Sequence, residues 1–229
     1  MEAQSLVVVF DMDGVLVDVT ESYRETIVQT VRHFSGRVIE RALIQEYKNQ
    51  GGWNNDWALS QKILADFGME IAYPVVVEAF QAIFFGPNGN DGLMQREVWL
   101  DTTGTLARLN ARAAFTVFTG RLRDEAQMTL DRFAGHLRFD RVVGDDDVTK
   151  GKPDPEGLLQ IVAAYPGARA VYIGDTVDDA RASKAAQVPF IGVGHRRDEG
   201  HAQTVALMER EGAIAIIESI NELEEALKQ

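Results

Sequence analysis

Two aspartates that follow an apolar run near the start of the chain have the residue type and spacing needed for nucleophilic and proton-transfer chemistry. The run from Leu6 to Phe10 is typical of a buried strand in a parallel sheet, and Asp11 and Asp13 come directly after it. Gly14 then provides a turn that can aim the two carboxylates differently. One carboxylate could attack phosphorus as a nucleophile, while the other gives a proton to the leaving oxygen and later takes one from water.

Polar residues also follow later apolar runs of the chain. They are Thr119 and Gly120 after 114–118, Lys152 in a loop after 139–143, and Asp175, Asp178 and Asp179 after 170–173. Because ligands of such sheets bind outside the carboxyl ends of the strands, we expect these side chains to converge on one edge.

The expected cluster has a charge problem that a metal ion would solve. Asp11, Asp13 and Asp175 in one crevice would repel one another, and a hard divalent cation with oxygen ligands removes this repulsion. Mg²⁺ suits such a site. Thr119 and Lys152 add a hydroxyl and a positive charge, so that the set is complementary to a phosphoryl group bridged to the metal.

The order of apolar and amphipathic segments predicts an α/β fold. Strands that alternate with helices indicate a doubly wound, Rossmann-like parallel sheet covered on both faces. Residues 19–92 break this alternation with four helical stretches, which favours an inserted α-helical cap domain. Residues 1–18 and 93–229 then form the core domain, with hinges expected at 17–20 and in the Gly- and Asn-rich segment 86–92.

Four motifs in this order resemble those of the haloacid dehalogenase superfamily in its phosphatase form. They are Asp-Met-Asp-Gly-Val-Leu-Val-Asp at 11–18, Thr119 at a strand end, Lys-Pro-Asp-Pro at 152–155, and Gly-Asp-Thr-Val-Asp-Asp at 174–179. The inserted helices resemble the cap of subclass I, as in its phosphoglycolate-phosphatase-like and β-phosphoglucomutase-like group. The resemblance implies a Mg²⁺-dependent phosphoric monoester hydrolase that acts on a small phosphorylated metabolite through an aspartyl-phosphate.

The resemblance also implies a role for each matching residue. The implied nucleophile and metal ligand is Asp11, and the implied general acid and base is Asp13, with its backbone carbonyl on the metal. The remaining roles fall on Asp175 as a metal ligand, on Thr119, Gly120 and Lys152 as phosphate-binding residues, and on Asp179 as a supporting residue.

Some assignments leave alternatives open. Lys150 also precedes the proline, but Lys152 adjoins it directly; Asp178 could instead be a helix-start residue that interacts with the helix dipole. Arg121 could approach the substrate or cap the next helix, and residues 195–197 could border the site. A Gly-Gly loop between two predicted cap helices could read substrate through Lys48, Asn49, Trp53 and Asn54, or could be a structural turn.

Three other functions compete with hydrolysis. A phosphohexomutase of the β-phosphoglucomutase type has similar motifs, but the mutase most like this chain has Glu-Asp where Gly174-Asp175 stands here, and an arginine that the loop 51–56 lacks. A phosphoacceptor signalling domain is much shorter and has no such cap. A catalytically inactive binding protein would not need the complete motif set.

The amino-acid composition excludes several other classes of protein function. The 229 residues carry 23 basic and 35 acidic side chains, a net charge of −12, which argues against a sequence-independent nucleic-acid binder. Cysteine is absent, which excludes a cysteine nucleophile and a thiolate metal site. No apolar stretch approaches the roughly 20 residues that cross a bilayer, and no signal peptide is evident, so we expect a soluble, cytoplasmic protein.

Overall fold

The computed structural model describes residues 6–198 and 200–228, which form two compact units. The α/β unit contains the chain up to Val17 and from Trp99 onward, and the helical unit runs from Asp18 to Val98. Residues 1–5 and 229, which the sequence assigns to the core domain, lie outside the described residues.

The strands form one large sheet and one short pair. Their bounds are β1 Leu6–Phe10, β2 Val17–Asp18, β3 Val98–Trp99, β4 Ala114–Phe118, β5 Phe139–Val143, β6 Arg169–Gly174, β7 Phe190–Val193 and β8 Ala215–Ile217. Six of them make a parallel sheet in the order β5-β4-β1-β6-β7-β8, while β2 pairs with β3 where the chain passes between the units. The predicted parallel α/β sheet is therefore confirmed.

The helices fall into two groups. The helical unit contains α1 Tyr23–Ser35, α2 Arg41–Gln50, α3 Asp56–Asp66 and α4 Tyr73–Phe85, and the α/β unit contains α5 Thr105–Asn110, α6 Arg123–Phe133, α7 Glu156–Ala163, α8 Val177–Ala186, α9 His201–Glu211 and α10 Leu223–Ala226. The short helices α5 and α10 have no counterpart among the predicted elements. In the described part of the chain, no helix has the length and apolar character needed to cross a bilayer.

The central position of β1 explains its uniform hydrophobicity. Val7 to Phe10 are at most 1% exposed, because β4 and β6 pair with β1 on its two sides and helices cover the sheet. The core around it includes Phe118, Leu158, Tyr172 and Phe190, which pack in one buried cluster. A strand buried on both faces loses the alternation of polar and apolar residues.

The helical unit has its own core. Its helices α1, α3 and α4 pack on one another, and the ring centroids of Tyr23 and Phe84 lie 4.2 Å apart. A 3-10 helix, Leu93–Arg96, packs on α4 and α1, so that residues 93–98, which the sequence assigns to the core domain, lie in this unit. Its role as a cap stays a prediction.

Candidate active site

Three neighbouring strands end level with one another and carry the predicted site residues at their carboxyl ends. Phe10 of β1 lies opposite Val117 of β4 and Ile173 of β6, so Asp11 follows its strand beside the ends of the other two. The backbone N–H of Asp11 donates to the carbonyl of Ile173 at 2.8 Å, which holds this strand end in place. Thr119, which is 2% exposed, directly follows β4 and is itself followed by Gly120.

A buried lysine lies between two buried aspartates. The Lys152 ammonium nitrogen is 2.7 Å from Asp11 Oδ1 and 2.8 Å from Asp179 Oδ1, and the lysine side chain is 1% exposed. The rings of Phe118 and Tyr172 lie 5.1 and 5.6 Å from the same nitrogen, within the range of a cation–π interaction. These contacts fix the lysine charge beside Asp11.

Asp179 is held by hydrogen bonds from its own helix start and from the sheet. Thr176 caps α8 by accepting from the Asp179 N–H, and the Asp179 carboxylate accepts in return from the Thr176 N–H and hydroxyl at 3.0 and 2.6 Å. The Tyr172 hydroxyl donates to the other carboxylate oxygen at 2.6 Å. These hydrogen bonds hold the Asp179 carboxylate in place.

Burial and the neighbouring charges shift the pKa values of all three members of this trio. Burial raises the pKa of Asp11 to about 7, because the attraction of Lys152 only partly offsets desolvation and the charge of Asp179 adds to the rise. Burial would also raise the pKa of Asp179, but Lys152 and the hydrogen bonds described above hold it below its ordinary value. Burial alone would lower the pKa of Lys152, yet the two aspartates raise it. A further cation beside Asp11 would favour its ionised form.

A cation could be held by the carboxylate cluster, which comprises Asp11, Asp175 and Asp179. One oxygen from each lies within 4.8 Å of the others, a hard oxygen-donor set that suits Mg²⁺. Asp175 reaches this position because residue 14 is glycine: a Cβ there would lie 2.0 Å from Asp175 Oδ2, and Gly14 has a φ of +73°. The donor chemistry and the raised pKa of Asp11 both fit a divalent cation.

Asp13 lies outside the carboxylate cluster, and its side chain is paired with an arginine. Arg121 Nε and Nη2 lie 2.7 and 2.6 Å from Asp13 Oδ1, and the arginine side chain is 1% exposed. Sequence reasoning left Arg121 as a residue that approaches substrate or caps a helix, and it did not foresee this pairing. The only sequence signal was its position directly after Thr119 and Gly120.

The other candidates near the strand ends lie apart from Asp11. Lys150 is exposed, and its backbone N–H donates to Glu156 at 3.1 Å. Asp178 is buried in the first turn of α8 with the guanidinium of Arg181 3.7 Å away. Lys152 lies beside Asp11, and Asp179 lies beside Lys152 on its other side. These two residues are the ones that the sequence favours over Lys150 and Asp178.

Within the segment 195–197, His195 contacts the loop that follows β1. The ring nitrogen Nε2 of His195 lies 2.8 Å from the Gly14 carbonyl oxygen. Arg196 is exposed and pairs with Glu218. His195 therefore supports the turn that carries Asp13.

The predicted substrate-reading residues of the helical unit contact their own unit. Lys48 forms a largely buried ion pair with Asp56 at 2.8 Å, and the Asn49 side chain accepts a hydrogen bond from Gln45 at 3.0 Å. The Trp53 ring meets Tyr47 edge-on with centroids 6.0 Å apart, and Asn54 is half-buried between α2 and α3. Substrate recognition by these residues stays a prediction.

Comparison with known proteins agrees with this architecture. A sequence model of the haloacid dehalogenase-like hydrolase family matches residues 6–187. A Phytophthora nicotianae protein named imidazoleglycerol-phosphate dehydratase is 33% identical over 192 residues, which are 80% of this chain but 42% of that protein. This chain thus spans less than half the length of that relative.

A second relative and a solved structure cover more of both chains. The phosphoglycolate phosphatase of Pseudomonas savastanoi pv. phaseolicola is 25% identical over 211 residues, 84% of this chain and 71% of that protein. A Bacteroides fragilis crystal structure, described as a haloacid dehalogenase-like hydrolase, shares the fold with a TM-score of 0.77 at 23% identity, covering 95% of this chain and 98% of that one. Since the family model spans most of the sequence, the chain belongs to the haloacid dehalogenase-like hydrolase family.

Proposed function

We propose that this protein is a Mg²⁺-dependent phosphatase that hydrolyses a small phosphomonoester through an aspartyl-phosphate on Asp11. The observation that carries the proposal is the position of Asp11, which lies 2.7 Å from the buried Lys152 ammonium and within the carboxylate cluster. A nucleophilic carboxylate between a fixed cation and a metal-binding oxygen set is suited to attack on a negatively charged phosphoryl group.

The proposed first half-reaction transfers the phosphoryl group to the protein. An Asp11 oxygen forms a bond to phosphorus, the bond from phosphorus to the ester oxygen breaks, and Asp13 gives its proton to that leaving oxygen. Lys152 and Thr119, with the backbone at Gly120, bind phosphoryl oxygens. Alcohol leaves, and the acyl phosphate remains.

The second half-reaction restores the starting state. Water attacks phosphorus, Asp13 takes the proton of that water, and the bond between phosphorus and the Asp11 oxygen breaks. Inorganic phosphate leaves, Asp11 is again a carboxylate, and Asp13 is again protonated. Atoms and protons balance without any further reactant.

Mg²⁺ is proposed to be held by Asp11 and Asp175, with the backbone carbonyl of Asp13 as the third protein ligand and Asp179 supporting the site. When bound, the ion supplies positive charge that favours ionised Asp11 and offsets the charge of the phosphoryl group. Asp179 already pairs with Lys152 and accepts hydrogen bonds from Tyr172 and Thr176, which supports a positioning role for it.

The proposed substrate class rests on the relatives of this chain. Relatives over most of the chain include phosphoglycolate phosphatases, which favours a small phosphorylated acid, and a sugar phosphate is chemically equivalent at the reacting bond. The helical unit is proposed to act as a cap that excludes bulk water during the reaction.

The proposal is tested by phosphate release from 2-phosphoglycolate, sugar phosphates and simple alkyl phosphates, with and without Mg²⁺. We expect inorganic phosphate to appear with at least one of them and only when the metal is present. Glucose 1-phosphate is the contrasting substrate, because isomerisation without phosphate release would identify a mutase. Release of phosphate at the same rate in excess chelator would also contradict the proposal.

Metal binding itself can be measured apart from catalysis. Mg²⁺ at about 100 times its dissociation constant should stabilise the fold by about 2.7 kcal/mol, which raises Tm by roughly 5–10 °C for a protein of this size. Asp175→Asn should lose most of this increase, while Asp124→Asn, at an exposed position in the first turn of α6, should keep it. An undiminished increase in Asp175→Asn would remove Asp175 from the metal site.

A further inference from the structure

Arg121 contacts Asp13, the proposed general acid and base, but no proposed step of the reaction uses this arginine. The Arg121 side chain is 1% exposed, whereas the side chain of its partner Asp13 is 29% exposed. The pair thus joins a buried cation to a carboxylate that is partly open to solvent.

The guanidinium is fixed on two sides. Nε and Nη2 both approach Asp13 Oδ1, at 2.7 and 2.6 Å, and Nη1 donates to the Thr129 hydroxyl of α6 at 2.7 Å. The backbone is fixed as well, because the Arg121 N–H donates to the Thr119 hydroxyl at 3.2 Å and its carbonyl accepts from the Asp145 N–H at 2.8 Å. The arginine is therefore held by hydrogen bonds at both its backbone and its guanidinium.

The contacts distinguish the two oxygens of Asp13. Both guanidinium nitrogens approach Oδ1, so rotation of the carboxylate would break the hydrogen bond from Nε and the close ionic contact with Nη2. Oδ2 is left as the oxygen that can meet a reacting group. A carboxylate anchored by one oxygen is already oriented for proton transfer and need not be ordered during the reaction.

We propose that Arg121 is a positioning residue for proton transfer: it anchors Asp13 by Oδ1 so that Oδ2 faces the leaving-group oxygen. The inference rests on the proposed function and adds a residue to it. Stability alone is a poor explanation, because a buried ion pair contributes little compared with well-packed apolar side chains of similar volume. The guanidinium has separate donors that reach Asp13 through Nε and Thr129 through Nη1 at the same time, an arrangement that the compact ammonium of lysine does not offer.

The first test compares Arg121→Met with the wild type on two substrates. In a single turnover, the rate of alcohol release from an alkyl phosphate should fall about 10- to 100-fold, and the rate of p-nitrophenol release much less, because p-nitrophenol needs little protonation to leave. Leaving-group release is measured because the later attack of water uses Asp13 with either substrate. The KM should change by less than about threefold, since Asp13 is not a phosphate-binding group.

Two other variants serve as comparisons. Arg121→Lys should recover part of the loss. Arg123→Met, a matched change at an exposed arginine that pairs with Asp147, should match the wild type.

A double-mutant cycle separates positioning from general structure. In an Asp13→Asn background, Arg121→Met should change the p-nitrophenyl phosphate rate by less than about twofold, because the group that it positions is already gone. Equal fractional losses in the rate of leaving-group release from the two substrates, or a full additive loss in the Asp13→Asn background, would overturn the proposal.

Crystal structures of the wild type and Arg121→Met supply a readout that does not depend on activity. Asp13 should occupy one rotamer in the wild type and several in the variant; a single unchanged rotamer in both would overturn the positioning role. A wild type that releases no phosphate would refute the proposed function instead, and the rotamer comparison would still decide what Arg121 does.

Discussion

Asp11→Asn is expected to lower the hydrolysis rate by about a thousandfold or more while the protein stays folded. The amide has nearly the same shape as the carboxylate, but its oxygen cannot form the acyl phosphate. The fold should tolerate the change because Asp11 is a buried charge that is costly to keep, as its pKa of about 7 indicates. Lys152 retains Asp179 at 2.8 Å as its partner.

The measurement is kcat with saturating Mg²⁺, together with circular dichroism and Tm. We expect an unchanged spectrum and a Tm equal to or above that of the wild type, as is common when a strained catalytic group is neutralised. The matched control is Asp124→Asn, which makes the same chemical change on the exposed surface of α6. A variant at position 11 that keeps a tenth of the wild-type rate would exclude Asp11 as the nucleophile.

Lys152→Met is expected to damage both catalysis and stability. Removal of the ammonium leaves the buried Asp179 and Asp11 without their shared cation, and loss of one partner of a buried pair costs roughly 3 kcal/mol or more. This corresponds to a fall in Tm of about 6–12 °C for a protein of this size. Phosphate release should fall by about a hundredfold or more, because the positive charge that binds the phosphoryl group is also lost.

Two further variants separate these effects. Lys150→Met changes an exposed lysine two residues away and should alter neither Tm nor rate appreciably. Lys152→Met combined with Asp179→Asn removes both charges and should regain much of the Tm without regaining activity. Recovery of activity together with stability would mean that Lys152 acts only as a structural residue.

The convergence of the site residues was predictable because it depends on topology. In a parallel sheet the carboxyl ends of all strands lie at one edge, so a residue that follows an apolar run is placed there whatever its side chain. Asp11, Thr119 and Asp175 each follow such a run, and the register of β1 with β4 and β6 brings their strand ends level. Apolar runs and turn residues were sufficient for this part of the site.

The pairings between side chains were not predictable in the same way. Arg121 turns toward Asp13, and Lys48 toward Asp56, because of rotamers chosen by the surrounding packing, for which sequence spacing carries no signal. The same applies to Asp178 and Asp179, which are adjacent in sequence but face different partners on α8. The helical period predicts which of the two aspartates faces the site only when the positions of Lys152 and Asp11 relative to α8 are already known.

The boundary between the two units is a second feature that the sequence predicts only approximately. The glycine-rich segment 86–92 is a turn by composition and was therefore interpreted as a hinge. The chain continues through it into the 3-10 helix Leu93–Arg96, which packs back on α4 and α1, and the unit extends to Val98. Turn-forming residues mark where the backbone bends, but packing decides which unit the next residues join.

The central claim is a covalent phosphoryl group on Asp11, and rapid quenching followed by borohydride reduction tests it most directly. The enzyme is mixed with substrate and Mg²⁺, quenched within one turnover, reduced, digested and analysed by mass spectrometry. An aspartyl-phosphate is reduced to homoserine, so we predict homoserine at position 11 only when substrate is present. Homoserine at another carboxylate, or its absence from every peptide while phosphate is released, would contradict the account.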